Sequence, residues 1–160
     1  MDKQTARNTA KKYRAGLDAE FVERASAEIT HQLQEAVNWS EVNSVNVYQQ
    51  IHTNNEASTD SLISWLEEMH PNIRLHKQSV QPIFPTDSFD VIIVPCLAMD
   101  ISGVRVGYGG GNYDKYLADH ESAQIIALCF EEQVFEQIES EPHDIRPTML
   151  VTEEQIRFFD

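Results

Sequence analysis

Five of the six glycines lie between positions 103 and 111, in the run Gly103-Val104-Arg105-Val106-Gly107-Tyr108-Gly109-Gly110-Gly111-Asn112-Tyr113-Asp114-Lys115-Tyr116. Glycines so placed can take positive φ and let backbone N–H groups approach an anion. A helix starting just beyond them adds the partial positive charge of its N-terminus. The chemistry that pattern serves is the cradling of phosphate. Neither GxGxxG nor GxxxxGK[ST] fits the run, and a glycine cluster alone reads equally well as a turn. The flanking residues sharpen the reading: Arg105 stands before the loop, Asp114 and Lys115 fall in the first helical turn after it, and Tyr108, Tyr113 and Tyr116 can stack on a base or ring.

Elsewhere the candidates are sparser. Lys3 and Arg7 are four apart in a basic, helical N-terminus, which is either a solvated face or a clamp for one small anion. Asp114 in a first helical turn is favourable to the helix dipole without any metal. His143 beside Asp144 offers a general base or a loop-orienting hydrogen bond. Glu56 in a polar loop carries no signal by itself. His31, His52, His70, His76 and His120 have no ligand spacing, and Cys96 and Cys129 sit singly in apolar stretches, so neither a zinc site nor a disulfide framework is expected.

The elements that must position these residues fit one domain, residues 1–160, since 160 residues can bury a real core. Helices are expected from Lys3 to about Gly16, from Asp18 to about Val37 and from Ser58 to about Met69. The third has a Ser/Thr cap, and His70-Pro71 closes it. Ser44–Tyr48 and Ile73–His76 read as strands. The continuous apolar runs Phe89–Val94, Ile125–Phe130 and Thr148–Val151 have the pattern of strands buried on both faces. Gln78–Ser88, with Pro82 and Pro85, is a connector that cannot be helical. The fold class expected is α/β: a three-layer, Rossmann-like single domain with a mostly parallel sheet flanked by helices, binding its ligand outside the carboxyl ends of the strands.

Charge narrows the partners. The formal net charge is −14, but the first 14 residues carry +4, leaving −18 on the rest. A field of that sign opposes a nucleic acid held by many phosphates, while a local basic patch can still meet a small anion. No apolar run approaches the roughly 18 residues of a membrane span, and the N-terminus is polar, so a cytoplasmic protein without leader or membrane partner is expected.

With these residues in hand, Val94-Pro95 through Leu117 resembles the 5-formyltetrahydrofolate cyclo-ligase signature, V-P-G-L-A-F-D-x-x-G-x-R-L-G-Y-G-G-G-Y-Y-D-[RK]-[YF]-L. Ala127–Gln133, Glu141-Pro142-His143-Asp144 and Val151-Thr152-Glu153 are similar to the family's A-x-x-F-E-x-Q, E-x-H-D and V-T-E segments, in the same order. Lys3-x-x-x-Arg7 and Asn55-Glu56-Ala57-Ser58-Thr59 resemble its K-x-x-x-R opening and N-E-x-x-T loop.

The resemblance implies ATP- and Mg2+-dependent cyclisation of 5-formyltetrahydrofolate to 5,10-methenyltetrahydrofolate, through phosphorylation of the formyl oxygen. Lys3, Arg7 and Arg105 would clamp ATP phosphates. The loop from Gly107 through Tyr108, Gly109, Gly110 and Gly111 to Asn112 and Tyr113 would cradle the nucleotide. Asp114 and Asp144 would hold Mg2+, Glu56 with Tyr108 and Tyr113 would meet the reduced folate, and Arg105 with Lys115 would offset charge on the transferring phosphoryl group. Lys115 reads otherwise as a solvated side chain. Asn112 stands where the family commonly has an aromatic, Cys96 where it has glycine. The connector before Phe89 is a few tens of residues shorter than usual and lacks the family's G-[IV]-x-E-P segment. A nucleotide- or folate-binding protein without this activity is therefore the alternative, and oligomeric state is open, a monomer being compatible.

Overall fold

The computed structural model describes residues 1–81 and 83–160; Pro82, inside the expected connector, and the side chain of His52 lie outside the described residues. Helices α1 (Lys3–Ala15), α2 (Ala19–Ala36), α3 (Asp60–Met69) and α4 (Asn112–Ala118) are interleaved with strands β1 (Ser44–Tyr48), β2 (Arg74–Gln78), β3 (Val91–Pro95), β4 (Ala98–Asp100), β5 (Arg105–Val106), β6 (Gln124–Leu128), β7 (Val134–Phe135), β8 (Met149–Val151) and β9 (Ile156–Phe158). The first two helices begin at aspartates. Asp2 accepts from Thr5 N (2.7 Å) and Asp18 from Phe21 N (2.8 Å), satisfying amides that have no partner inside the helix.

Helix α3 departs from expectation. Thr59 holds the cap position, but its hydroxyl donates to the Tyr48 carbonyl (2.6 Å) and makes no cap bond, while the Ser58 hydroxyl accepts from Asp60 N (3.2 Å).

The main sheet has the order β2-β1-β3-β6-β8-β9, parallel throughout except for the antiparallel β8–β9 pair. Side chains alternate across it. Val45, Val47, Val91, Ile93, Ile126 and Leu128 pack with Ile29, Leu33, Leu62 and Leu66 of α2 and α3, while Ile92, Val94, Ile125, Ala127 and Leu150 pack with Tyr116 and Leu117 of α4. That is the three-layer α/β arrangement expected, in which strands covered on both faces read as continuous apolar runs. Strand β2 runs to Gln78, beyond the expected His76, because it pairs with β1 along its whole length; Gln78 is accordingly buried.

A second sheet, β5-β4-β7, was not expected; its strands of two or three residues are too short to show a period. It packs on Ala6 and Ala10 of α1. Asp100 anchors it. One carboxylate oxygen accepts from Ser102 N (2.9 Å), Ser102 Oγ (2.8 Å) and Val104 N (3.0 Å), and the other from Ile138 N (2.8 Å). The turn so held delivers β5, and with it Arg105, to the end of β3. Among the described residues no helix is long and apolar enough to cross a membrane.

Candidate functional site

Strand order reverses between β1 and β3: the chain goes outward to β2, then returns past β1 to β3. Open α/β sheets leave a crevice at such a point, outside the carboxyl ends of the strands. Here a cleft of about 370 Å³ lies there, lined by Pro95 at the end of β3 and Cys96 just after it, by Ser79 after β2, and by the glycine loop, Lys3 and Arg7. Its volume is in the range of small-molecule sites.

The glycine loop crosses the cleft and is tied to α1. Arg7 Nε donates to the Gly107 carbonyl (2.9 Å), and Arg14 Nη2 donates to the Tyr108 hydroxyl. Gly109 (φ +111°) and Gly111 (φ +68°) hold left-handed backbone that L side chains rarely adopt. A Cβ on Gly109 would also sit 3.8 Å from the Arg7 guanidinium carbon, in the space between loop and cation. Arg105 is buried, its Nε donating to the Pro95 carbonyl (2.9 Å) and its guanidinium carbon lying 5.1 Å from the Tyr113 ring centroid. Phe84 packs edge-on to Tyr113 (5.0 Å) and stacks on Tyr116 (4.4 Å), so the short connector supplies an aromatic wall.

At the far rim Lys3 Nζ donates to Asp144 Oδ1 (2.7 Å) and Glu141 Oε1 (2.9 Å), while Asp144 Oδ2 accepts from Glu141 N (2.8 Å). Glu141, His143 and Asp144 bring their ligand atoms within 4.8 Å of one another. The Glu141 and Asp144 carboxylates are hard oxygen donors of the kind Mg2+ takes, and in this structure both are paired with Lys3 Nζ. His143 stays 3.7 and 3.9 Å from the Glu141 and Asp144 oxygens. Asp114 lines the cleft and accepts from Ile145 N (3.3 Å), but it is not part of that cluster.

Lys3, Arg7, Arg105, Gly107, Tyr108, Gly109, Gly110, Gly111, Asn112, Tyr113 and Asp114 thus share one cleft. Asp144 is joined to it through Lys3. Lys115 is exposed and does not line it, nor does Glu56, which is buried in the loop after β1 with Oε1 accepting from Ile51 N (2.6 Å). Burial pushes the Glu56 carboxyl above the ordinary glutamate range, while the Ile51 amide, the Arg14 charge, the Tyr108 hydroxyl and Arg105 pull it back.

Three participants are not evident from sequence. Glu141 opens the E-x-H-D run but has no spacing of its own to mark it. Phe84 lies in a connector whose prolines say only that it is not helical. Arg14 is one cation of a basic helix, and its place on the Arg7 face, two turns on, is the signal that marks it.

The model of the 5-formyltetrahydrofolate cyclo-ligase family matches residues 66–153. The 5-formyltetrahydrofolate cyclo-ligase of Mycolicibacterium smegmatis is 44% identical over 64 residues, covering 39% of this chain and 33% of that relative. The Escherichia coli K12 protein of the same name is 32% identical over 88 residues, 52% of this chain and 48% of that relative. The matched stretches thus span a third to about half of these curated relatives. Two solved structures share the fold at a TM-score of 0.81. The 5,10-methenyltetrahydrofolate synthetase of Aquifex aeolicus is 22% identical, with 99% of this chain and 93% of that chain covered; the one from Mycoplasma pneumoniae is 18% identical, with 96% and 99% covered.

Proposed function

Because the chain belongs to the 5-formyltetrahydrofolate cyclo-ligase family, we propose that it converts 5-formyltetrahydrofolate to 5,10-methenyltetrahydrofolate, with ATP giving ADP and phosphate. The observation that carries the reading is the convergence of Arg7, Arg105, Lys3 and the glycine loop on one cleft that also has an aromatic wall. A formamide oxygen is a poor leaving group. Transfer of the γ-phosphoryl group of ATP to that oxygen makes it a good one; N10 of the folate then attacks the formyl carbon and gives up its proton to solvent, and the C–O bond breaks as phosphate departs.

Phosphoryl transfer asks a protein for positioning and charge neutralisation more than for covalent help. Arg105, held by Pro95 and Tyr113, is our candidate for the charge that develops on the transferring group, and Arg7 and Lys3 for the remaining phosphates. The backbone of Gly107–Gly111, with Asn112, meets the nucleotide where side chains would obstruct it. Asp144 and Glu141, with Asp114 facing the same cleft, are the carboxylates we assign to Mg2+. Bound there, the ion would neutralise phosphate charge. Tyr113 and Tyr108, which line the cleft, are assigned to the folate, and Glu56, which does not line it, is assigned to the folate through Tyr108.

The test is direct. Purified protein mixed with 5-formyltetrahydrofolate, ATP and Mg2+ should develop the absorbance of the methenyl product, and omission of ATP should abolish it. Folded protein that binds ATP but forms neither methenyl product nor ADP would refute the reading and leave a binding protein.

A further inference from the structure

Arg14 has no part in the chemistry assigned above, yet it is one of the most deeply buried charges in the chain. Along α1 the buried positions are Ala6, Ala10 and Arg14, so the stripe that packs alanines against the small sheet ends in a guanidinium 4% exposed. Burying that group is costly unless its N–H groups find acceptors, and Nε has none. Nη2 donates to the Tyr108 hydroxyl, with the guanidinium carbon 5.7 Å from the ring centroid. Together with the Arg7 bond to the Gly107 carbonyl, this fastens two successive residues of the glycine loop to one helix.

Glu56 lies at the same end of α1. Its neighbour Asn55, in left-handed backbone (φ 53°), donates through Nδ2 to the carbonyls of Arg14 (2.7 Å) and Leu17 (3.3 Å). A tyrosine hydroxyl has one proton to give. With Arg14 donating to its oxygen, the Tyr108 proton is left for another acceptor, and the Tyr108 hydroxyl and the Arg14 charge both favour the ionised form of the Glu56 carboxyl.

We propose that Arg14 is a positioning residue for the substrate side of the cleft: it holds the Tyr108 hydroxyl so that the phenol closes the glycine loop onto α1 and turns its proton toward Glu56. The proposal rests on the assignment of Glu56 and Tyr108 to the folate. A carboxylate accepts hydrogen bonds fully only when ionised, so the pull of Glu56 on the Tyr108 proton, and with it the presentation of Tyr108 to the cleft it lines, weakens as Glu56 is protonated. The groups facing Glu56 are Arg14 from α1, Arg105 from β5, Tyr48 from β1, Tyr108 from the loop and Tyr113 from α4. Burial keeps the three tyrosines neutral and Arg105 is retained, so removing Arg14 leaves Glu56 with less to oppose its burial.

The experiment measures the Kd of 5-formyltetrahydrofolate and of ATP by calorimetry, across pH, alongside turnover. R14M should weaken folate binding by about tenfold, the scale of losing a charged hydrogen-bond donor, with ATP affinity within about twofold of the unmutated protein. Its acid limb of folate binding should move to higher pH. R14K should restore the limb, because the charge returns, and only part of the affinity, because the fork does not. Folded R14M with an unchanged folate Kd and limb, or with equal losses for both ligands, overturns the proposal. Should R14M not fold, R14K decides, since it keeps the charge and loses the fork: a weakened folate Kd at unchanged ATP affinity supports the proposal and an unchanged folate Kd overturns it. Folate binding without turnover in the unmutated protein refutes cyclisation while leaving Arg14 judged by the same Kd values; no folate binding at all refutes both.

Discussion

Replacing Arg105 with methionine separates what the guanidinium does for the fold from what it does for the reaction. The side chain is 6% exposed, its Nε lies 2.9 Å from the Pro95 carbonyl, and its charge sits 5.1 Å from the Tyr113 ring centroid. The lost hydrogen bond to a charged donor is worth about 1.5–3 kcal/mol and the cation–ring contact about 0.5–2 kcal/mol. Methionine refills most of the volume and buries methylenes without a charge, recovering part of this, so the net cost is about 2 kcal/mol. For a domain of this size that lowers Tm by about 4–8 °C. The effect on turnover is of another order: removing a group that meets transition-state charge costs about 10²–10³ in kcat. Calorimetry gives the first number, and the rate of methenyl formation per folded protein gives the second. R105K should recover little, because a point charge does not replace a fork held by a carbonyl and a ring. R105M that keeps kcat within about threefold of the unmutated protein would refute the assignment of Arg105 to the phosphoryl group.

Other consequences follow from the same geometry. K3M removes a proposed phosphate clamp now paired with Asp144 and Glu141; the KM for ATP should rise by about tenfold with the folate KM unchanged, as steady-state kinetics would read. D100A leaves at least two buried amides, those of Val104 and Ile138, without an acceptor, and should cost about 2–6 kcal/mol in denaturant unfolding. Arg157 holds the Glu131 carboxyl below the ordinary glutamate range through a forked pair at 3.0 and 2.7 Å. A lowered native pKa contributes stability above the unfolded value, about 4.3, and loses it as pH falls through the native one. R157M should therefore lower Tm by a few degrees (~1 kcal/mol) at neutral pH, and the gap should close on acidification through that window.

Much of the fold was legible because its elements carry period or buried runs. The Phe21, Val22, Ala25, Ile29, Leu33 spacing marks α2, and Val91–Val94 and Ile125–Leu128 mark strands covered on both faces. The small sheet was not legible, since two-residue strands such as Arg105–Val106 have no period. Which hydroxyl of Ser58-Thr59 would serve α3 was not legible, because a hydroxyl beside a helix start serves either the helix or a neighbouring carbonyl, and only the Tyr48 carbonyl's position decides. The glycine loop and Arg105 stand out as a rare cluster of residue types. Arg14 and Glu141 do not, because their meaning comes from partners 94 and 138 residues away, Tyr108 and Lys3.

Activation of the formyl oxygen is the central claim, and the fate of that oxygen tests it. With 5-formyltetrahydrofolate carrying a heavy-isotope label in the formyl oxygen, a single turnover with ATP and Mg2+ should deliver the label to inorganic phosphate, detected by mass spectrometry, as methenyl product forms. Methenyl product accompanied by unlabelled phosphate, with the label released to water, would contradict the account.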